Sequence, residues 1–292
     1  MSKYVPDISS RRWVIIANQR LDRPQDKKRK KASCPFCQGC EKSTPPEVYR
    51  VGKGEADGPG WIIRVVPNKY PITDFHEVII HTPNCNEELE DLPLTHLEKI
   101  FDVYRQRYNF YRKKGQVMVF ANSRRHAGAS LNHSHSQLVV LPFQINLDTL
   151  VREPIANIIL ENKYFIVYCP DFSQWPYEYW IAPKEENTFF GDINDEKIKD
   201  LAVIFKDMLL RLKKIFKRIE LSDIPFAYNF YIYPKENWYI RVIPRFVYRA
   251  GFELGTGLSV NVVDPKDAAG EFKKVNDLDK VMEKIKKLSE HK

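Results

Sequence analysis

Ser130-Leu-Asn-His133-Ser-His135-Ser-Gln137-Leu-Val-Val-Leu-Pro142 joins a chemical cluster to an apolar strand. An extended chain sends residues i, i+2 and i+4 to one face, so His133, His135 and Gln137 share a side. The apolar end, Leu138 to Pro142, has a counterpart further on in Ile240-Arg-Val-Ile-Pro244. Each copy closes the same succession of strand, helix, strand and strand. In the first, residues 13–16, 61–66 and 77–80 read as strands between turn residues. Leu97, Ile100, Phe101, Tyr104 and Tyr108 then mark one face of a helix over 94–114, which Gly115 stops. Residues 117–120 and 137–141 read as strands. In the second copy, 164–167 and 179–182 are strand-like, a long helix spans 194–219, and strands follow at 226–232 and 238–243. The expectation is an α+β fold of two related halves, 1–145 and 146–292, with antiparallel sheets and one long helix per half. A further helix is predicted from about residue 266 to the end.

Two imidazoles and an amide on one face, among Ser130, Ser134 and Ser136, can ligate a metal, attack an electrophile or hold an oxyanion. A neutral imidazole is a good nucleophile toward phosphorus, and a covalent intermediate divides one displacement into two easier ones. The amide of Gln137 can stabilise charge developing on phosphate oxygens. The plainer alternative is a pair of surface histidines on an edge strand.

The five cysteines stand at 34, 37, 40, 85 and 169. Cys34-Pro-Phe-Cys37 has the spacing that places two thiolates on one tetrahedral ion. There is no second such pair, so further ligands must come from elsewhere; Cys40, Cys85, His81 and the histidines near 133 are the candidates. Cys169 reads as a small buried apolar residue.

Composition sets the frame. The chain has 292 residues with 46 Lys+Arg against 38 Asp+Glu, and 43% of it is hydrophobic. That length buries enough surface to form a core without disulfides. No apolar run approaches a membrane span and the N-terminus lacks an apolar signal core, so the reading is cytoplasmic with no membrane partner. The net charge of +8 favours anionic ligands. The basic run Lys27 to Lys31 has no zinc-finger, helix-turn-helix or ribonucleoprotein signature beside it, so nucleic acid is not an expected partner.

The motifs together resemble the galactose-1-phosphate uridylyltransferase branch of the histidine-triad superfamily. His133-Ser-His135-Ser-Gln137 matches its H-x-H-x-Q signature. Trp13-Val-Ile-Ile, Arg20-Leu-Asp-Arg23-Pro, Cys34-Pro-Phe-Cys37, Thr44-Pro-Pro-Glu47, Arg64-Val-Val-Pro-Asn68-Lys-Tyr-Pro71, His76-Glu-Val-Ile-Ile and Gly251-Phe-Glu253-Leu-Gly255 follow the family in the same order.

The resemblance implies that His135 is the nucleophile, attacking the α-phosphorus of a nucleotide-sugar and holding the nucleotidyl group until a second phosphate ester accepts it. It implies a zinc ion on Cys34, Cys37 and His133, phosphate contacts from Gln137 and Ser130, and nucleotide contacts from Asn122 and Asn68. Arg20 and Arg23 match a pair that reaches phosphate across a homodimer interface, and Phe252 and Glu253 match residues that hold the hexose. The family's usual fourth zinc ligand, a His after Pro-Asp, falls on Thr82-Pro-Asn-Cys85, so Cys85 is expected to complete one site per chain, with Cys40 as the alternative. The C-terminal repeat of the motif is read as Asn237-Trp-Tyr239-Ile-Arg241, which lacks both histidines, so no second metal site is expected. The first reading is UMP transfer between UDP-glucose and galactose 1-phosphate, in galactose metabolism. The serines at 134 and 136, where the best-known members have Pro and Gly, resemble relatives that act on ADP-sugars with phosphate as acceptor. The alternative is therefore an ADP-sugar phosphorylase, or a dinucleoside-polyphosphate phosphorylase using the same His135. A non-catalytic nucleotide-binding protein is the alternative of another class.

Overall fold

Ten strands pair antiparallel into one sheet, whose order reads as two matching series meeting in the middle. The computed structural model describes residues 2–7, 12–22, 34–147, 150–219 and 225–275. A separate hairpin joins β1 (Lys3–Pro6) to β2 (Trp13–Ile16). The first half of the large sheet contains β3 (Tyr49–Gly52), β4 (Trp61–Pro67), β5 (His76–Ile80), β6 (Gln116–Ser123) and β7 (His135–Leu141), with α1 (Leu94–Tyr111) between β5 and β6. The second contains β8 (Ile158–Glu161), β9 (Phe165–Tyr168), β10 (Tyr179–Pro183), β11 (Tyr228–Ile232) and β12 (Ile240–Pro244), with α2 (Asp195–Arg218) between β10 and β11. The order is β3-β4-β5-β7-β6-β11-β12-β10-β9-β8. Each half repeats the other strand for strand, and the units join edge to edge through β6 and β11, with Phe230 opposite Ala121.

Alternation along the strands decides which face is covered. Ile63, Val65, Ile79, Val119, Leu138 and Val140 face α1, and Val167, Ile181, Phe230, Ile240 and Val242 belong to the same continuous core under α2. Burying each such side chain contributes about 1.5–3 kcal/mol. The two helices touch through Phe101 and Phe205, edge to face at 5.3 Å. Asn194 caps α2, its side chain accepting from the Lys197 N–H at 2.9 Å, with Asp195 and Glu196 in the positive first turn. The α1–β6 turn requires Gly115, because a Cβ there would run into the Leu141 carbonyl oxygen.

The opposite face carries two smaller clusters. One is Trp61, Val66, Val78 and Ile80 with Phe36; the other is Ile166, Tyr168, Trp180, Ala182 and Tyr239. Edge strands β3 and β8 were not expected from the sequence. Both are short and both shift register against their neighbours, so their pattern carries little alternation and pairing places them. Two shorter helices complete the chain, α3 (Gly251–Thr256) and α4 (Pro265–Lys274). The predicted tail helix coincides with α4 at its start; its remainder, like Arg23 and the basic run at 27–31, lies outside the described residues. Among the described residues no helix is long and apolar enough to cross a membrane.

Candidate active site

β7 carries the site because its pleat divides the motif between two environments. His135 and Gln137 lie on the face away from the helices, whereas Ser136 and Leu138 point toward α1. Strand β5 flanks them, with Ile80 opposite His135 and Val78 opposite Gln137.

His133 sits just before β7, 2% exposed. Its Nε2 is 2.6 Å from the Thr82 carbonyl oxygen, which can only accept, so Nε2 bears the proton. The lone pair of Nδ1 then faces Cys34 Sγ at 3.4 Å and Cys37 Sγ at 3.7 Å. Sulfur and nitrogen ligands on one tetrahedral zinc would stand about 3.6 Å apart. All three donor atoms lie within 4.8 Å of one another, and the set could hold a metal ion. Burial raises the Cys34 thiol pKa, and burial with a hydrogen bond to Cys85 pushes Cys37 up to about 12, so these thiols need a nearby cation to ionise.

Cys85 is exposed in the loop after β5, and its Sγ contacts Asn86 Oδ1 at 3.9 Å. It stands beside Cys37 but outside the three-residue cluster. Cys40 sits one turn beyond Cys37, its N–H donating to the Cys37 carbonyl. His81, a candidate from the sequence, is no part of the cluster. It is fully buried behind β7, with Nδ1 3.0 Å from Ser134 Oγ, and with Nε2 2.9 Å from Tyr104 Oη and 2.5 Å from Ser136 Oγ. Burial first, and then the neighbouring imidazoles of His135, His96 and His133, push its pKa well below the ordinary range. The serines that replace Pro and Gly in the motif are thus polar contacts to the helix side of the sheet.

His135 Nδ1 is 2.7 Å from the His133 carbonyl oxygen, which leaves Nε2 with the lone pair. Phe36, inside the C-x2-C turn, packs edge-on against both imidazoles, its ring centroid 5.9 Å from that of His133 and 5.3 Å from that of His135. A cleft of about 120 Å³ opens beside His135, walled by Phe36, Pro45, Val66 and Val78 and edged by Asn68, Tyr70 and Ser130. Ser130 and His135 thus line the same cleft. Asn122 lies on the other side of His135, in a smaller pocket with Glu88 and Arg124. Its Oδ1 accepts from Asn229 Nδ2 at 2.7 Å across the junction of the halves. Burial pushes the Glu88 carboxyl up to about 7, against the lowering effect of Arg124.

Arg20 donates from Nη1 to the Tyr70 carbonyl at 2.9 Å, at the rim of the cleft. Phe252 and Glu253 are on α3, which has no buried residue, and neither lines the two pockets beside His135. In the second half, Arg241 forms a buried bidentate pair with Glu178, at 2.7 Å from Nε and 2.8 Å from Nη2. Sequence reasoning passed over Phe36 and gave His76 no catalytic or binding role. For His76 a signal existed, since it shares the parity of Val78 and Ile80 on the strand beside Gln137.

Fold and site together resemble the galactose-1-phosphate uridylyltransferase branch of the histidine-triad superfamily. Residues 15–143 match the family model described as "Domain of unknown function (DUF4931) N-terminal domain". The chain is 28% identical to ADP-glucose phosphorylase of Arabidopsis thaliana, over 92% of each protein. It is 23% identical to the galactose-1-phosphate uridylyltransferase of Thermotoga maritima, over 89% of this chain and 94% of that one. The crystal structure of an Arabidopsis thaliana ADP-glucose phosphorylase with bound ADP-glucose superposes with a TM-score of 0.72 at 27% identity, over 95% of this chain and 100% of that one. These relatives are enzymes, and the chain is of their nucleotidyltransferase and phosphorylase class.

Proposed function

We propose that the chain cleaves an ADP-sugar with phosphate through a covalent adenylyl-His135. The observation that carries the chemistry is the His135 tautomer: Nδ1–H is bound to the His133 carbonyl, and the Nε2 lone pair is the nucleophile. Nε2 forms a bond to the α-phosphorus while the bond to the sugar 1-phosphate oxygen breaks. A phosphate oxygen then attacks the same phosphorus and releases His135, giving ADP. Gln137 and Ser130 donate to the non-bridging oxygens as charge grows there. The adenine is supported by the 28% identity to ADP-glucose phosphorylase and by the serines at 134 and 136. UMP transfer from UDP-glucose to galactose 1-phosphate is the second reading, favoured by the relative from Thermotoga maritima.

Cys34, Cys37 and His133, with Cys85 as the fourth ligand, would hold one zinc ion. Bound zinc supplies a cross-link that fixes the Phe36 turn against the start of β7. Residues 1–145 carry the chemistry in this reading, and 146–292 are a degenerate copy on the sugar-phosphate side, where Phe252 and Glu253 would meet the hexose. Asn122 and Asn68 stand on opposite sides of the nucleotide. Homodimerisation belongs to the same proposal, with Arg20 and Arg23 at the phosphate.

Isotope exchange tests it. Labelled glucose 1-phosphate should enter ADP-glucose in the absence of inorganic phosphate, and net consumption of ADP-glucose should require phosphate. Exchange into UDP-glucose alone would transfer the assignment to the uridylyltransferases.

A further inference from the structure

We infer that His76 is a positioning residue that sets the side-chain amide of Gln137, so that its N–H2 and not its carbonyl is offered to an anionic oxygen beside His135. Only the identity of that anion rests on the nucleotidyl-transfer reading.

The sense of each hydrogen bond follows from two backbone N–H groups, which can only donate. The Ile72 N–H lies 2.9 Å from His76 Nδ1, so Nδ1 carries a lone pair and Nε2 the proton. His76 Nε2 is 3.0 Å from Gln137 Oε1 and therefore donates to it. The Tyr70 N–H lies 2.8 Å from Asn68 Oδ1, which fixes Asn68 as well. Asn68 Nδ2 is then the group 3.4 Å from Gln137 Oε1 and 3.0 Å from His76 Nε2. Two donors, one from the start of β5 and one from the loop after β4, converge on one oxygen.

Turning the Gln137 amide over would set its N–H2 against both donors. Gln137 is 3% exposed and His76 5%, so water is in no position to compensate. The Oε1 end is held toward β5 and the Asn68 loop, and the N–H2 end remains for an anion on the face shared with His135. Preorganised donors of this kind act without reorganising as charge develops. His76 touches Gln137 and acts through it. The same geometry gives Asn68 a supporting contact at Gln137 in addition to its place on the cleft edge.

Three forms of the zinc-loaded protein test this: wild type, His76→Phe and His76→Gln. Phenylalanine keeps a ring but has no donor; glutamine can accept from the Ile72 N–H and donate onward. His76→Phe should slow single-turnover formation of the His135 adduct about a hundredfold, the size of losing one such donor, with zinc content retained and KM little changed. His76→Gln should recover most of the rate. Equal rates in the two variants, or a His76→Phe rate equal to wild type, would overturn the proposal. Ring 15N shifts of wild-type His76 give an answer independent of turnover: Nδ1 unprotonated and Nε2 protonated is expected, and the reverse tautomer overturns it. If wild type forms no adduct with ADP-glucose or UDP-glucose, the nucleotidyl-transfer reading fails while the 15N result still decides the orientation.

Discussion

The carbonyl oxygen of His133 accepts a hydrogen bond from His135 Nδ1 at 2.7 Å, so one residue of the motif fixes the tautomer of the other. His133 is itself fixed in the opposite sense by the Thr82 carbonyl at Nε2. Two imidazoles two residues apart thus present different lone pairs: Nδ1 of His133 toward the cysteines, and Nε2 of His135 as the unprotonated nitrogen. In the proposed reading one motif serves a metal and an electrophile, and backbone carbonyls assign the protons that divide the two roles.

The protein purified without chelator should contain one zinc per chain by elemental analysis. Cys34→Ser or His133→Asn should lose most of it. Because Cys85 stands against Cys37, Cys85→Ser should lower both zinc content and Tm, whereas Cys40→Ser should not. The reverse pair of results would give Cys40 the fourth position.

Replacing His81 should cost stability. His81→Phe leaves the hydroxyls of Ser134, Ser136 and Tyr104 without their shared imidazole. Each buried polar group left unpaired costs about 1–3 kcal/mol. Urea denaturation with an unchanged m-value should report a loss in that range. A loss below about 0.5 kcal/mol would remove the network from the account of why serines occupy 134 and 136.

Glu88 gives a pH signature. Its folded pKa of about 7 is raised from 4.5, chiefly by burial, so the fold favours the protonated carboxyl. That stability is fully present below pH 4.5 and is lost as pH rises through about 7. Tm of Glu88→Gln measured across this window should therefore fall less with rising pH than that of wild type. Parallel curves would show that Glu88 titrates normally.

Much of this was legible in the sequence, and the reasons differ by residue. The helices α1 and α2 were readable because their apolar residues recur at a 3.6 period over many turns, and strands β4, β5 and β10 because they are apolar runs between turn residues. β3 and β8 were not, since four-residue edge strands with a register shift carry almost no pattern. His133 lies 99 and 96 residues from Cys34 and Cys37, and the family resemblance implied that they meet. His81 was misread as a candidate ligand because a histidine in sequence does not reveal which strand face it occupies. The partners of His76 come from loops at Asn68 and Ile72 and from β7, a convergence that only folding creates.

The central claim, covalent transfer through His135, is tested most directly by the mass of the intact chain after incubation with ADP-glucose or UDP-glucose and no acceptor. The expected result is a gain of one AMP from ADP-glucose, absent in His135→Asn and removed by adding phosphate. A chain that gains no nucleotide from either sugar, or a His135→Asn variant that gains it as wild type does, would contradict the account.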